Sequence, residues 1–377
     1  MPPDERFEFR ISFRKLLVGL ALALVPISVA GLYSITRSHE SLESTVGTHF
    51  KTIAESTAEG VSRFVHDRVI EVALIAADSA VLDAVQAANR AYQGLADAET
   101  AARIEKIDKI WNTPSGENAV REVLASRASA SLRRRHELDP RILRITVTDA
   151  KGAVVAASHK TLDYYQADEE YWRNIYADGR GSISLTDILY DEATKTNYIG
   201  VGIPVLDTSS GQFLGTVDAL VDASTLFPIV NRVQLGPTGR TLLVRNDGYV
   251  ISSPQTTVPV KVKSEEYAAL QENAATMEGR ESGYLVSEIR GRRNLIGYAQ
   301  TDLNRNYRNL GWTVVVTQET TEAFAAVRTV ERLIAFMSLL GLAAVTFVAV
   351  YFASHRKAPF TEIGELREPG VAAKTAN

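Results

Sequence analysis

The chain has 377 residues, 45% of them apolar and 23% charged, enough to fill a sizeable core and too apolar for a largely disordered protein. Its formal net charge of -4 leaves no footprint for nucleic acid, and the one dense basic run, "RRRHE" at Arg133 to Glu137, carries its own acid and reads as a solvated helix end. The chain has no cysteine, so neither disulfides nor thiolate metal sites hold the fold.

From Leu16 to Ser34, "LLVGLALALVPISVAGLYS" carries no charge over about 19 residues, and from Leu333 to Ser354, "LIAFMSLLGLAAVTFVAVYFAS" carries none over about 22, where a bilayer core needs about 20 apolar helical residues. Arg10, Arg14 and Lys15 before the first run, and His355, Arg356 and Lys357 after the second, place both short ends in the cytoplasm. The expectation is a two-pass membrane protein: tail 1–15, membrane helix 16–36, outer domain 37–330, membrane helix 331–354 and tail 355–377. The alternative for the first run is a cleaved leader, with "SVA" at Ser28 to Ala30 as the processing site. The run continues past that site into a helical pattern without punctuation.

After the first run the sequence lacks proline for about fifty residues, and Val46, Phe50, Ile53, Ala54, Thr57, Val61, Phe64, Val65, Val69, Val72 and Ile75 follow three-and-four spacing. This predicts a long amphipathic helix that packs on its own domain, on a second copy, or on both. Further helical stretches cover Leu95 to Ile110 and Asn118 to Glu137, separated by "NTPSG", and complete a helical stalk over 37–140.

The period then changes to two. "RILRITVTDAKGAVVAAS" alternates Leu143, Ile145 and Val147 along one side of a strand, turns at "DAKG" and returns through Val154 and Val155. Val147 to Ser158 is matched by "VRNDGYVISS" at Val244 to Ser253, "NYIG" at Asn197 by "NLIG" at Asn294, and Gly211 to Asp222 by Arg308 to Glu319. Three matching pieces in one order and at similar spacing are an internal duplication. Each copy reads as a hairpin, a variable insertion and two long strands, giving a sheet of about five strands with the long helix as cover. The copies occupy 141–230 and 231–330.

The first insertion is crowded with rings and acids: Tyr164, Tyr165, Tyr171, Trp172, Tyr176 and Tyr190 beside Asp168, Glu169, Asp187 and Asp191. Aromatic walls with a few converging polar groups suit a small polar ligand, although some of these rings are expected to be core. On the facing strand Asp218, Leu220 and Asp222 share one side, and an inward Asp needs a ligand or a buried network as partner. The candidate ligand-binding set is Tyr164, Glu169, Tyr171, Trp172, Tyr176, Asp187, Tyr190, Asp191, Asp218 and Asp222.

Four pieces carry a resemblance: "YWRNIYADGRGSIS", "GVGIPVLDTSSGQFLGTVDALVDASTL", "LGPTGRTLLVRNDGYVISSP" and "LGWTVVVTQETTEAF". With an apolar run on each side, the stretch from Arg37 to Val330 resembles the double Cache sensor domain of bacterial chemoreceptors and histidine kinases. The resemblance implies an α+β fold: two stacked PAS-like antiparallel-sheet modules on a long N-terminal helix, flanked by two transmembrane helices. It also implies that a small ligand binds in the first, membrane-distal module. Many members bind amino acids through a Tyr, an Arg shortly before a Trp-Tyr pair, and an Asp on the later strand. Here Tyr164 matches the Tyr, while Tyr171 and Trp172 match the pair in swapped order. Glu169 falls where the Arg belongs, and the strand Asp falls near Leu220 with acids at Asp218 and Asp222. An acidic, aromatic pocket of that kind suits an amine or other cationic ligand, with an amino-acid-like one as the family default.

No catalysis, metal or cofactor is expected. "GVG" at Gly200 to Gly202 sits inside a strand rather than opening a helix, and the six His are scattered singly. The expected function is a sensor in the bacterial inner membrane, its main domain periplasmic, forming a homodimer along the long helix. In the short tail after the second run, "APFTEIGEL" looks like the opening of a HAMP linker. The lipid bilayer and a separate signalling protein are then partners. The alternatives are an accessory scaffold, whose outer domain binds a protein instead of a small ligand, and a decoy subunit of a full-length receptor.

Overall fold

The three-and-four spacing that begins at Val46 lies in helix α1, Phe13–Ala76. Along residues 43–76 its buried side chains, Phe50, Ala54, Val61, Val65, Val69, Val72 and Ile75, recur on one face and join a single apolar core with side chains of two β-sheets. The structure, a computed structural model, describes residues 13–192, 195–233, 235–253, 262–273, 279–307 and 310–354.

Four short helices come next: α2 (Ser79–Arg90), α3 (Asp97–Ile110), α4 (Glu117–Ala125) and α5 (Arg127–Leu138). The stretch expected as one helix from Asn118 to Glu137 is two. Ser126 takes an extended backbone (φ -62°, ψ 153°) and its hydroxyl accepts from Ser129 N, so it ends α4 and caps α5. Asp78 caps α2 in the same way. Helices α2 and α5 lie against the first hairpin.

The first sheet holds β1 (Ile142–Asp149), β2 (Val154–Ala157), β3 (Ser184–Leu185), β4 (Leu189–Asp191), β5 (Thr196–Leu206) and β6 (Phe213–Asp222). Its order is β2-β1-β6-β5-β3, with β4 also on β5. Helix α6 (Glu170–Tyr176) belongs to the insertion and α7 (Leu226–Asn231) links the copies. The second sheet holds β7 (Arg240–Arg245), β8 (Val250–Ser252), β9 (Ser282–Ile289), β10 (Arg292–Gln300) and β11 (Trp312–Glu319) in the order β8-β7-β11-β10-β9. Its helices are α8 (Glu265–Glu272), α9 (Leu303–Asn306) and α10 (Thr320–Ala323). The α+β class and the two repeated antiparallel modules are those expected.

The repeat extends to single hydrogen bonds. Asp149 N donates to Ala153 O and Gly152 N to Asp149 O; Arg245 N donates to Tyr249 O and Gly248 N to Arg245 O. Gly152 (φ 88°) and Gly248 (φ 89°) occupy the same left-handed turn position. Asp149 therefore corresponds to Arg245, and the ladders carry the match outward: Thr146 to Leu242, Asp218 to Val315, Gly200 to Ile296 and Gly202 to Tyr298. Over the described residues Phe213 to Asp222 aligns with Leu310 to Glu319, as the sequence match has it. The N-x-I-G strings are offset by one residue in the ladder, and a one-residue offset turns a side chain to the opposite face. Gly297 faces α1, where a Cβ would stand 2.6 Å from the Phe50 backbone, while Gly200 faces away from that helix.

By chain contacts the molecule divides into a unit of residues 43–325 and a unit of residues 1–42 and 326–377. The second unit holds the start of α1 and most of α11 (Ala325–Ser354). In α11 the apolar side chains Leu339, Leu340 and Phe347 are exposed. The expected two-pass placement in an inner membrane is corrected: among the described residues no helix is long and apolar enough to cross a membrane. The two uncharged runs enter as parts of α1 and α11, and neither supplies a sufficient described apolar stretch. Residues 1–12 and the tail 355–377, with its HAMP-like reading and basic flank, lie outside the described residues.

Candidate functional site

The first sheet turns one face to the apolar core it shares with α1, α2 and α5 and the other to the insertion. On the second face Arg144 and Thr146 of β1, Tyr198 and Gly200 of β5, and Asp218 and Leu220 of β6 form the floor of a cavity of about 610 Å³. The insertion supplies the walls, Thr161 to Asp163 with Gln166, Glu169 to Tyr171 with Asn174, and Ser184 to Asp187 with Leu189. A volume of a few hundred Å³ matches a small organic ligand. Helix α6 roofs the adjoining part of the floor: Ile175 lies over Gly202, and Trp172 Nε1 donates to Thr148 Oγ1 at 2.9 Å.

Asp218 dominates the electrostatics. It is 7% exposed and makes no hydrogen bond or ion pair among the described residues. Burial pushes its carboxyl up to about 7, against the opposing pull of the Arg144 guanidinium. Arg144 itself has a buried Nε with no hydrogen-bond partner. The Tyr171 hydroxyl donates to Gln166 Oε1, and burial, reinforced by the Asp218 charge, holds it well above the ordinary phenol value. Gln166 in turn donates to Asp163, whose carboxyl is raised by burial. A carboxyl and a guanidinium thus face one space, each with unused hydrogen-bonding capacity, which suits a ligand bearing both a donor and an acceptor group.

The corresponding face of the second sheet is filled. Leu242, Ile296, Tyr298 and Val315 stand where the first copy has Thr146, Gly200, Gly202 and Asp218, and with Ala269 and Leu270 of α8 they make a buried apolar cluster. Two larger depressions, of about 770 and 650 Å³, are surface grooves lined by Trp111, Arg121 and Lys160, and by Glu59, His66 and Asp302. Volume alone would favour them, but neither brings an unpartnered buried charge to its floor.

A family model described as a Cache domain, dCache_1, matches residues 38–327. The chain belongs to the Cache domain family. No curated protein matches it. Solved structures similar to this Cache chain include the ligand-binding domain of the Pseudomonas aeruginosa PAO1 chemoreceptor PctB in complex with L-Arg (15% identity, 75% of this chain and 98% of that one, TM-score 0.42). Another is that of PctC from the same organism in complex with GABA (14% identity, 72% and 99%, TM-score 0.46). The ligand-binding domain of the Campylobacter jejuni chemoreceptor Tlp3 in complex with 4-methylisoleucine is similar at 13% identity (75% and 94%, TM-score 0.49).

Of the residues singled out in the sequence, this Cache domain brings Glu169, Tyr171, Asp187 and Asp218 to the cavity. Trp172 and Tyr176 stack on one another at 5.0 Å and meet Phe213 edge-on, a packed ring cluster beside the cavity. Tyr164 packs on Trp111 at 5.2 Å, and its backbone N donates to Asp108. Tyr190 and Asp191 pair in β4 with Asn197 and Thr196. Asp222 is on the Asp218 side of β6 but beyond the cavity, where its Oδ1 accepts from Ser224 N at 2.7 Å. Sequence reasoning passed over Arg144, although alternation with Leu143 and Ile145 places it on the side of Thr146. It also passed over Arg245, which reaches the cavity from the second module and has no local signal.

Proposed function

We propose that this Cache domain is a sensor that takes a small polar ligand in the cavity of its first module and passes the change to a separate signalling protein. One observation carries the reading. Asp218 is a buried carboxyl on the floor of an open cavity, without a hydrogen-bond or ion-pair partner among the described residues, at the position that the second copy fills with Val315. A buried polar group costs free energy unless something completes its hydrogen bonds, and the duplication supplies the apolar alternative that this position lacks. Asp218 suits an ammonium or other donor, and Arg144 suits a carboxylate. Amines and amino-acid-like compounds are therefore the first classes to try, and the cavity is less uniformly acidic than the sequence suggested. Homodimerisation along α1 belongs to the same proposal.

The test is a thermal-shift and calorimetric screen of the full chain against amines, amino acids, carboxylates, sugars and purines, repeated on Asp218→Asn and Arg144→Gln. Specific binding raises the melting temperature by mass action. A hit lost in both variants supports the site. A hit indifferent to both places the ligand elsewhere, and silence across the library moves the reading to a protein-binding scaffold.

A further inference from the structure

The cavity is not built by the first module alone. Arg245, at the end of β7 in the second module, lines it beside Asp187. Its Nε donates to Asp247 Oδ1 at 3.1 Å and its Nη2 to the other Asp247 oxygen. Those bonds fix the guanidinium plane and leave the Nη1 edge turned to Asp187, whose Oδ2 lies 3.5 Å away, too far for a full hydrogen bond. Asp187 Oδ1 is meanwhile held by Trp312 Nε1 at 2.9 Å, and Trp312 is the ladder partner of Arg245. A loop of the first module is thus tied to two neighbouring strands of the second at the cavity rim.

We propose that Arg245 is a ligand-binding residue contributed by the second module, that together with Arg144 it grips a carboxylate of the ligand, and that Asp187 competes for Arg245 while the cavity is empty. The proposal rests on the reading of the cavity as the ligand site. Three features support it. Arg245 has donors to spare in a fixed plane, the geometry that carboxylates accept. Asp187 is a poor satisfier of it at 3.5 Å, so a better-placed carboxylate displaces a weak contact. The duplication makes the residue specific to this role: the first copy has Asp149 at the same turn position, buried and bonded to Tyr92 Oη at 2.9 Å. A ligand that reaches from Asp218 to Arg245 bridges both modules, so occupancy of the first is registered directly on β7 and β11.

The experiment uses the full chain and two matched probe sets, the proteinogenic L-amino acids and the amines left when their carboxylate is removed. Affinities are measured by calorimetry on wild type, Arg245→Gln, Arg245→Lys and Asp187→Asn. For any amino acid that binds wild type, Arg245→Gln is expected to weaken binding about tenfold or more and Arg245→Lys to restore part of it. Both are expected to leave the affinity of the matching amine unchanged. Asp187→Asn keeps an acceptor for Trp312 and is expected to tighten amino-acid binding. Ligand-free melting curves close to wild type establish that the variants fold. Amino-acid affinity unchanged within about twofold in Arg245→Gln, or weakened in Asp187→Asn, overturns the proposal and leaves the cavity reading intact. Wild type that binds amines but no amino acid does the same. No binding to either set by wild type also overturns the proposal, whereas binding that survives Asp218→Asn and Arg144→Gln overturns the cavity reading itself.

Discussion

Asp218 sets the pH behaviour of the ligand-free protein. Its carboxyl is raised from 3.8 to about 7 by burial, so between those values the folded state holds a proton that the unfolded chain has released. Folding stability from this group is therefore full below the unfolded value, falls as pH rises towards 7 and levels off above it. At about 1.4 kcal/mol per pH unit the loss is on the order of a few kcal/mol. The expected outcome is a wild-type melting temperature that declines from pH 4 to pH 7 more steeply than that of Asp218→Asn. Asp218→Val, which copies the second module, is expected to stabilise the empty protein by about 1–3 kcal/mol at pH 8 and to abolish ligand binding. Chemical denaturation with a parallel titration checks both. An ammonium ligand favours the ionised carboxyl, so its binding is expected to tighten as pH rises through 7. Calorimetry in buffers of different ionisation enthalpy would register the released proton.

Between elements, the decisive contact is α6 on the sheet. The stacked pair Trp172 and Tyr176 with Phe213 is packing, and Trp172 also closes the buried Thr148 and Thr216 hydroxyl pair. Trp172→Ala is expected to cost about 3–5 kcal/mol, visible in the denaturation midpoint, whereas Tyr171→Phe keeps the ring and removes one hydrogen bond at about 1 kcal/mol. The sequence made the sheets legible because period two and turn chemistry are local. It made the face of Asp218 legible for the same reason. It did not separate Tyr171, which meets the cavity, from Trp172, which meets the core. Adjacent residues of a seven-residue helix differ by about a hundred degrees in direction, and only the partner surface decides which is inside. Nor did it reveal the one-residue offset of Gly200 and Gly297, since identical strings reward alignment by letter while the ladder rewards alignment by face.

The whole molecule uses one motif in two ways. Val315→Asp in the second module is expected to cost about 3–5 kcal/mol, because the charge would enter a buried apolar cluster; the equivalent Asp218 is tolerated beside an open cavity. Arg245 was invisible to the sequence reading because its role arises only where the two copies meet. That meeting is reinforced from the other side. Residues 43–76 of α1 bury one continuous face in a core that draws on both sheets, and at Gly297 the helix backbone lies almost against the strand. Neither sheet has a hydrophobic interior it can call its own on that side. Heat or denaturant should therefore dissolve the 43–325 unit in one cooperative step rather than module by module. A ligand in the cavity should then slow amide exchange in β10, which it does not touch, as much as in β5 and β6.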